Sequence, residues 1–316
     1  MSFENIIVTG CGGDIGISIG RILKTSNVAN RVIGCDINEE HGGPVFFDIF
    51  EIVERADSIF YIESLLNVCK KYSVDLIIPT SEPELRLFLK EDIIGSLDGI
   101  PVLIVNQKAL TIGFDKALTS DFLKSSGLSY PWTTLVSEGL PKAFPCIIKK
   151  RYGSGSKDIM VVDEEVVDYY STKRPDDLWQ EYLGPDDQEY TCGLYRSKAG
   201  EIRTIILKRR LDGSLTVYGE VRKNMEIEAM LNRLAELLDL QGSINPQLRL
   251  TERGPVMFEI NPRFSSTVMF RHMLGFKDLL WSISEIAGEA IEYYIPPKIG
   301  TRFYRASQEV ILQGNR

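Results

Sequence analysis

Short apolar runs and amphipathic stretches alternate over the first third of the chain. The runs that predict buried strands are Asn5–Thr9, Val32–Cys35, Leu76–Pro79 and Val102–Val105. Between the first two lies an amphipathic stretch whose buried side carries Ile15, Ile19, Ile22 and Leu23, and Ile62–Lys71 also has helical spacing. Because strands that alternate with helices form βαβ units, residues 1–108 are predicted to be a doubly wound α/β domain.

The pattern changes after about residue 108. Asp115–Ser125 predicts a helix with Asp115 as its N-cap, and Met225–Leu238 predicts another. The strand-like runs here are Cys146–Lys149, Asp158–Val162, Glu189–Tyr195, Ile202–Leu207, Leu215–Tyr218, Gln247–Leu250 and Val256–Ile260. Short turns join several of these runs, as between Leu250 and Val256. The second part is therefore predicted to be α+β with an antiparallel sheet.

One strand of the second part ends in three chemically active side chains. In FEINPRF, Glu259, Asn261 and Arg263 occupy alternate positions and so share one face, and Pro262 ends the strand. A carboxylate and an amide oxygen suit Mg²⁺, and Arg263 would neutralise charge that grows on a transferred phosphoryl group. An edge strand with a surface Arg–Glu pair explains the same residues, so both interpretations stay open at this point.

A second candidate site is a lysine followed by a glycine-rich turn. Lys149 ends a predicted strand and points into a site, and Gly153 and Gly155 follow it in RYGSGSK. Glycine lets backbone N–H groups approach phosphate oxygens closely. The spacing is not that of the GxxxxGK[ST] phosphate loop. A polar hairpin turn with solvated cations is therefore the alternative interpretation.

A third candidate is a strand that leads into a turn at Trp179–Gly184, followed by Glu189–Thr191. The turn would offer backbone groups to an adenine edge, and Glu189 would hold ribose hydroxyls. An ordinary strand–turn–strand is the alternative interpretation of this segment.

In their order and spacing these motifs resemble the ATP-grasp superfamily, and within it the carbamoyl phosphate synthase large subunit. The segments that carry the resemblance are FDKALTSDFL, IIKKRYGSGSKDI, WQEYLGPDDQEYT and FEINPR. The resemblance implies a pre-ATP-grasp, Rossmann-like domain over residues 1–108 and an ATP-grasp domain over residues 109–316. The latter would comprise a mobile lid at about 117–179 and an antiparallel subdomain with the metal site at 180–316. Since the synthase has two tandem units and this chain has one, a stand-alone homologue is expected.

The resemblance also implies roles for individual residues. The expected ATP contacts are Lys116, Lys149, Gly153, Ser154, Gly155, Ser156, Glu181, Tyr182, Leu183 and Glu189. The expected metal ligands are Gln247, Glu259 and Asn261, and the expected catalytic side chains are Arg263, Lys149 and Arg210. The expected function is an ATP-dependent carboxylate–amine ligase that forms an acyl phosphate, with ATP and Mg²⁺, or Mn²⁺ in its place, as cofactors.

The first βα turn allows a different function. Gly10–Gly16 follows a strand and opens a helix, and Asp36 ends the next strand, as in a dinucleotide fingerprint. An NAD(P)-dependent oxidoreductase is therefore one alternative, and a non-catalytic ATP-binding protein is another. Pre-ATP-grasp domains carry the same turn to hold the acceptor, so Gly12 and Gly13 are the expected substrate contacts there. Ser81 and Glu82 follow the Leu76–Pro79 strand and are further candidate contacts, with a solvated loop as the alternative interpretation.

The composition limits the kinds of partner that the protein is expected to bind. The 316 residues carry a net charge of −8, which argues against broad binding to nucleic acid or to an anionic membrane. The cysteines are scattered and odd in number, and no apolar run reaches the roughly 18 residues of a membrane span. We therefore expect a cytoplasmic protein whose partners are a small-molecule carboxylate and a nucleophilic acceptor, and a homodimer stays open.

Overall fold

The N-terminal part is built on a parallel sheet with strand order β3-β2-β1-β4. The computed structural model describes residues 3–153, 158–306 and 309–311. The elements of this part are β1 (Phe3–Thr9), α1 (Asp14–Ser26), β2 (Ala29–Asp36), β3 (Ile49–Ile52), α2 (Tyr61–Tyr72), β4 (Leu76–Ile78), α3 (Glu82–Lys90), β5 (Ser96–Leu97) and β6 (Ile100–Pro101). Ile6, Ile7 and Val8 are fully buried because helices or other segments cover both faces of this sheet.

A small antiparallel sheet with strand order β7-β10-β8-β9 follows two consecutive helices. The elements are α4 (Gln107–Phe114), α5 (Lys116–Ser125), β7 (Thr133–Leu135), β8 (Cys146–Lys150), β9 (Met160–Val162), α6 (Val167–Lys173) and β10 (Asp177–Glu181). Asp115 is the N-cap of α5, as the sequence predicts, because its carboxylate accepts hydrogen bonds from the N–H groups of Ala117 and Leu118.

The main sheet is antiparallel, with strand order β15-β14-β11-β12-β13-β16. Its elements and the helices beside it are β11 (Glu189–Arg196), β12 (Ile202–Asp212), β13 (Leu215–Arg222), α7 (Met225–Leu237), β14 (Gly242–Thr251), β15 (Gly254–Asn261), α8 (Val268–Met273), α9 (Asp278–Ile286) and β16 (Arg302–Tyr304). The predicted combination of an α/β N-terminal domain with an α+β second part is thus confirmed.

The N-terminal sheet and the main sheet are joined by a shared apolar core. Val268 on α8 and Leu279 and Ile283 on α9 pack in one cluster with Ile6 and Ile19 of the N-terminal part. Helices from late in the chain thus cover a sheet from its beginning, which fixes the loops at the ends of β1, β2 and β4 relative to the main sheet. The predicted boundary at residue 180 falls inside β10, a strand of the small sheet.

None of the helices in the described part of the chain combines the length and apolar character that a membrane crossing requires.

A buried ion pair links α8 and α9. The guanidinium of Arg271 lies 3.0 Å from the carboxylate of Asp278, and both side chains are sealed from solvent. Since removal of one partner leaves an uncompensated buried charge, Asp278→Ala should lower the free energy of unfolding by about 3–5 kcal/mol. Urea denaturation measures this loss. In the exposed pair Lys277–Glu292 (2.8 Å), Glu292→Ala should cost less than about 1 kcal/mol, and equal losses would contradict the prediction.

Candidate active site

A cavity of about 500 Å³ lies between the small sheet and the main sheet, and we call it the inter-sheet cavity. The predicted site residues that line it are Lys116, Lys149, Gly153, Glu181, Tyr182, Leu183, Glu189, Gln247 and Glu259. Residues separated by more than 140 positions in the sequence therefore meet around one space. The predicted loop residues Ser154, Gly155 and Ser156 lie outside the described residues.

The basic end of the inter-sheet cavity is formed by two lysines. Lys149 lies on β8 with 4% of its surface exposed, and its Nζ donates to the carbonyl of Phe258 at 3.4 Å. Lys116 begins α5, and its Nζ donates to the carbonyl of Gly153 at 2.5 Å and lies 3.8 Å from the Glu259 carboxylate. Two cations beside one carboxylate leave an excess of positive charge, which suits phosphate oxygens.

Burial changes the charge of one of these lysines. Desolvation lowers the pKa of Lys149 to about 7, Glu259 opposes that shift, and Lys116 adds to it. A phosphate placed beside Lys149 would restore the ammonium form, because an opposite charge favours protonation.

Lys116 is positioned by the cap of its own helix. Asp115, the N-cap residue, also accepts hydrogen bonds from the guanidinium of Arg151, with one nitrogen at 2.7 Å. The backbone N–H of Lys116 donates to the carbonyl of Arg151 at 3.2 Å. This link holds the start of α5 against the end of β8, so that Lys116 meets Gly153.

Strand alternation and register bring oxygen ligands together at the end of β15. Gln247 on β14 is paired directly with Glu259 on β15, and Asn245 is paired with Asn261. Glu259 and Asn261 share a face, as the sequence predicts. Arg209 donates a hydrogen bond to the side-chain oxygen of Gln247 at 2.8 Å, so this oxygen is only partly available to a metal ion. The Glu259 carboxylate with amide oxygens beside it fits Mg²⁺, which prefers oxygen ligands.

The predicted adenine and ribose contacts lie at and beside the turn between β10 and β11. Glu181 is held by its backbone N–H, which donates to the carbonyl of Trp132 at 2.9 Å, and by an ion pair with Arg253 at 2.7 Å. Tyr182 and Leu183 follow it along the cavity wall. Glu189 accepts from Arg209 at 2.7 Å and from Arg249 at 3.1 Å. This arrangement fixes the carboxylate of Glu189 at the cavity edge.

Arg209, rather than the predicted Arg210, faces the site. Arg209 lines the inter-sheet cavity, whereas Arg210 points to the other face of β12 and its guanidinium lies 5.7 Å from the ring centre of Tyr218. The sequence signal that distinguishes the two arginines is strand alternation. Arg209 shares its face of β12 with Leu207, which is fully buried, and with Leu211, which also lines the cavity.

This placement gives a paired prediction. Arg209→Ala should weaken Mg-ATP binding by about 10–100-fold, since it removes charge-assisted hydrogen bonds of roughly 1.5–3 kcal/mol from both Glu189 and Gln247. Arg210→Ala should change the dissociation constant by less than about twofold. Isothermal titration calorimetry measures both values, and a larger effect at Arg210 would contradict the assignment.

A second cavity of about 420 Å³ lies between the N-terminal loops and the main sheet, and we call it the inter-domain cavity. It shares Arg209, Leu211, Gln247 and Glu259 with the inter-sheet cavity, so the two spaces meet at the predicted metal strand. Its other predicted site residues are Gly13, Ser81, Asn261 and Arg263.

Two predicted substrate contacts do not line the inter-domain cavity. Glu82 lies in the first turn of α3 and pairs with Arg86 at 2.7 Å. Gly12 is covered, because a Cβ atom at this position would lie 2.4 Å from the imidazole of His41. The predicted contacts on this side therefore reduce to Gly13 and Ser81.

The glycine-rich turn is covered on the side of Gly12. Asp36 accepts a hydrogen bond from the N–H of Gly12 at 2.7 Å, and the chain at His41 and Gly43 packs over the turn. A dinucleotide pyrophosphate requires free approach of its oxygens to the backbone of such a turn. The covering residues therefore count against the NAD(P) alternative.

Cys11, Asp36 and His41 meet beside this turn, a cluster that sequence reasoning missed. The Nδ1 atom of His41 accepts from the N–H of Gly43 at 3.1 Å, which holds the ring beside Asp36. Burial raises the pKa of the Cys11 thiol to about 12. The thiol is therefore neutral, and the three side chains form a packed polar cluster beside the turn.

Family profiles match both parts of the chain. Residues 173–308 match a family profile described as ATP-grasp in the biosynthetic pathway with Ter operon. Residues 6–103 match a profile described as the PylC-like N-terminal domain. The chain therefore carries an ATP-grasp domain preceded by a PylC-like N-terminal domain, and the predicted recognition of this superfamily is confirmed. No curated protein matches the chain in sequence.

Solved structures share the fold at low identity. N5-carboxyaminoimidazole synthetase from Staphylococcus aureus, complexed with ADP, is 16% identical with a TM-score of 0.71, over 92% of this chain and 78% of that one. A biotin carboxylase βγ-ATP complex from Campylobacter jejuni is 12% identical with a TM-score of 0.72, and the match covers 95% of this chain and 74% of that one. A third structure is the biotin carboxylase domain dimer of Hydrogenobacter thermophilus 2-oxoglutarate carboxylase, with MgADP and bicarbonate. It is 16% identical with a TM-score of 0.72, and the match covers 95% of this chain and 73% of that one.

Proposed function

We propose that this protein is an ATP-grasp ligase that uses Mg-ATP to activate a small-molecule carboxylate and passes the acyl group to a nucleophilic acceptor. The observation that carries the proposal is the meeting of the two cavities at Glu259. One cavity has the lysines and the hinge that suit a nucleotide, and the other has an arginine and polar groups that suit its co-substrates.

The inter-sheet cavity is assigned to ATP. The turn at Glu181–Leu183 is assigned to adenine, Glu189 to ribose, and Lys116 and Lys149 to the phosphates. The ADP and MgADP held by the matched S. aureus and H. thermophilus structures support this assignment. Mg²⁺, or Mn²⁺ in its place, would be held by the oxygens of Gln247, Glu259 and Asn261 and would neutralise charge on the phosphates.

The inter-domain cavity is assigned to the carboxylate. A carboxylate oxygen attacks the γ-phosphorus, the bond from that phosphorus to the bridging oxygen breaks, and ADP leaves. The acceptor then attacks the acyl carbon, phosphate leaves and the acceptor's proton passes to solvent. Arg263 stabilises the charge on the transferred phosphoryl group, and positioning supplies most of the remaining acceleration. The alternatives to this function are a nicotinamide enzyme and a non-catalytic ATP-binding protein.

Thermal shift followed by turnover tests the proposal. Mg-ATP should raise the melting temperature of the full chain, whereas NADPH should not. ADP should form only when a carboxylate and a nucleophile are both present. Stabilisation by NADPH alone would favour the oxidoreductase. Binding of Mg-ATP without turnover across a broad panel of carboxylates and amines would favour the non-catalytic protein.

The assembly of the chain stays a prediction. The H. thermophilus domain is described as a dimer, which supports a homodimer as the assembly to test by light scattering.

A further inference from the structure

We propose that Arg86, on α3 of the N-terminal domain, is a positioning residue that holds Lys116 at the phosphate end of the inter-sheet cavity. The inference rests on the proposed function, because it concerns a lysine that is assigned to the phosphates of ATP. Within the described part of the chain Arg86 lines neither the inter-sheet nor the inter-domain cavity. Its effect on a ligand therefore passes through the groups that it contacts.

The guanidinium of Arg86 lies over two aromatic rings that belong to separate segments. Its central carbon is 4.8 Å from the ring centre of Phe114 and 5.2 Å from that of Tyr152. Phe114 is buried at the end of α4, whereas Tyr152 follows β8 and lines the inter-sheet cavity. Because a cation is attracted to the face of an aromatic ring at these distances, Arg86 holds both segments against α3.

Hydrogen bonds fix the orientation of this guanidinium. Its Nε and Nη2 atoms donate to one carboxylate oxygen of Glu82, one turn earlier on α3, at 2.9 and 2.7 Å. The Nη2 atom also donates to the backbone carbonyl of Phe114. A side chain that is bonded both to its own helix and to a second segment loses both contacts if it rotates. Arg86 therefore fixes the end of α4 relative to α3.

The two aromatic residues stand directly before the groups that meet at the phosphate end. Phe114 is separated from Lys116 only by the N-cap of α5, and Tyr152 is followed at once by Gly153. The Nζ atom of Lys116 donates to the carbonyl of Gly153 at 2.5 Å. A displacement of either segment would thus move Lys116 relative to the phosphates.

A second arginine supports the same arrangement from the side of β8. The guanidinium of Arg151 lies 5.2 Å from the ring centre of Tyr152 and pairs with Asp115, the N-cap of α5, at 2.7 Å. Tyr152 is thus in contact with one arginine from the N-terminal domain and one from the small sheet. Its ring is the contact through which Arg86 reaches the end of β8.

The contacts of Arg86 also extend toward Arg263 of the inter-domain cavity. Burial lowers the pKa of Arg263, and the nearby charge of Glu82 opposes that shift. Since Glu82 is paired with Arg86, its distance from Arg263 depends on the same guanidinium. Arg86 therefore connects the side chain assigned to the transferred phosphoryl group with the lysine assigned to the phosphates.

A double-mutant cycle on Mg-ATP binding to the full chain tests the inference. Arg86→Met keeps the length of the side chain but removes the guanidinium, and it should weaken binding by about 10-fold. In a chain that already carries Lys116→Gln, the same change should cost less than about twofold, because no ammonium is left to position. Calorimetry measures the four dissociation constants. An equal loss in both backgrounds, or no loss in either, overturns the inference.

Conservative variants separate the positioning of Lys116 from the charge of Arg86. Arg86→Lys keeps the charge but loses the planar fork, so it should bind Mg-ATP as weakly as Arg86→Met. Tyr152→Phe keeps the ring and should retain the affinity, whereas Tyr152→Leu should lose it. Wild-type affinity in Arg86→Lys would show that charge alone matters and would overturn the inference. Arg233→Met, from an exposed ion pair on α7, is the matched control and should bind as the wild type does.

The failure of the proposed function is distinguishable from the failure of this inference. If the wild-type chain does not bind Mg-ATP, the assignment of the inter-sheet cavity to ATP fails. If the wild type binds and Lys116→Gln binds equally well, Arg86 has no ammonium to act through, and only the inference is overturned. Melting temperatures without nucleotide report whether each variant is folded. Tyr152 is half-exposed, so Tyr152→Leu decides the question if Arg86→Met does not fold.

Discussion

Replacement of Lys149 by methionine is expected to abolish measurable Mg-ATP binding and to leave the chain at least as stable to heat as the wild type. Methionine fills a similar volume, and Lys149 is buried without a carboxylate in hydrogen-bonding contact, so its ammonium costs desolvation in the absence of a phosphate. Loss of binding with unchanged or raised melting temperature separates a ligand-binding lysine from a structural one. Calorimetry and a thermal melt measure the two quantities.

Lys149 also determines how the stability of the chain and its affinity for Mg-ATP change with pH. The pKa of Lys149 is lowered from 10.5 to about 7 in the folded chain, chiefly by burial. Between these values the unfolded chain binds more protons, so this group's contribution to stability rises with pH across that window. Mg-ATP binding has the opposite trend, because the phosphate requires the ammonium form. Above pH 7 the affinity should fall by up to about tenfold per pH unit.

A control substitution separates this effect from a general loss of charge. Lys173→Met, at an exposed position near the end of α6, should leave both the affinity and its pH dependence unchanged. Tight Mg-ATP binding by Lys149→Met, or a strong loss of stability in that variant, would show that Lys149 does not hold the phosphates.

The strand that carries the proposed metal ligands was predictable from the sequence because it depends on local rules. A two-residue alternation places Glu259 and Asn261 on one face wherever the strand lies in the fold. The short turn before Val256 predicts a hairpin, but its register alone would pair Gln247 with Phe258. A bulge beside Leu248 shifts the register by one residue and brings Gln247 opposite Glu259. Local periodicity therefore accounts for the shared face of Glu259 and Asn261, whereas the pairing with Gln247 depends on a bulge that the sequence does not indicate.

Other parts depend on contacts between distant segments and escaped prediction. The sequence after the Leu76–Pro79 strand indicates a loop at Glu82, whereas α3 begins there, because Pro83 is tolerated in the first turn of a helix. His41 packs over Gly12, although the sequences of these two segments do not indicate that they lie together. The apolar core that α8 and α9 share with α1 is set by the tertiary fold, which periodicity alone cannot assign.

Glu259→Gln is expected to lower the rate of ADP formation by about 10²–10³-fold while the fold is kept. The substitution retains shape and one oxygen but removes the charge that holds the metal against the phosphates, and the loss of one well-placed electrostatic contact costs on the order of 10²–10³ in rate. Glu252→Gln, in the exposed turn between β14 and β15, should leave the rate unchanged. Steady-state assays across Mg²⁺ concentrations measure the effect, and wild-type rates in Glu259→Gln would end the assignment of β15 to the metal.

The same variant carries a second signature that a merely structural role would not produce. The charge of Glu259 raises the pKa of Lys149 against the effects of burial and Lys116. Without that charge the pKa of Lys149 should fall further, so the loss of nucleotide affinity with rising pH should begin below pH 7. ATP titrations without metal isolate this effect from metal binding. An unshifted pH profile would mean that Glu259 does not act on Lys149 across the junction of the two cavities.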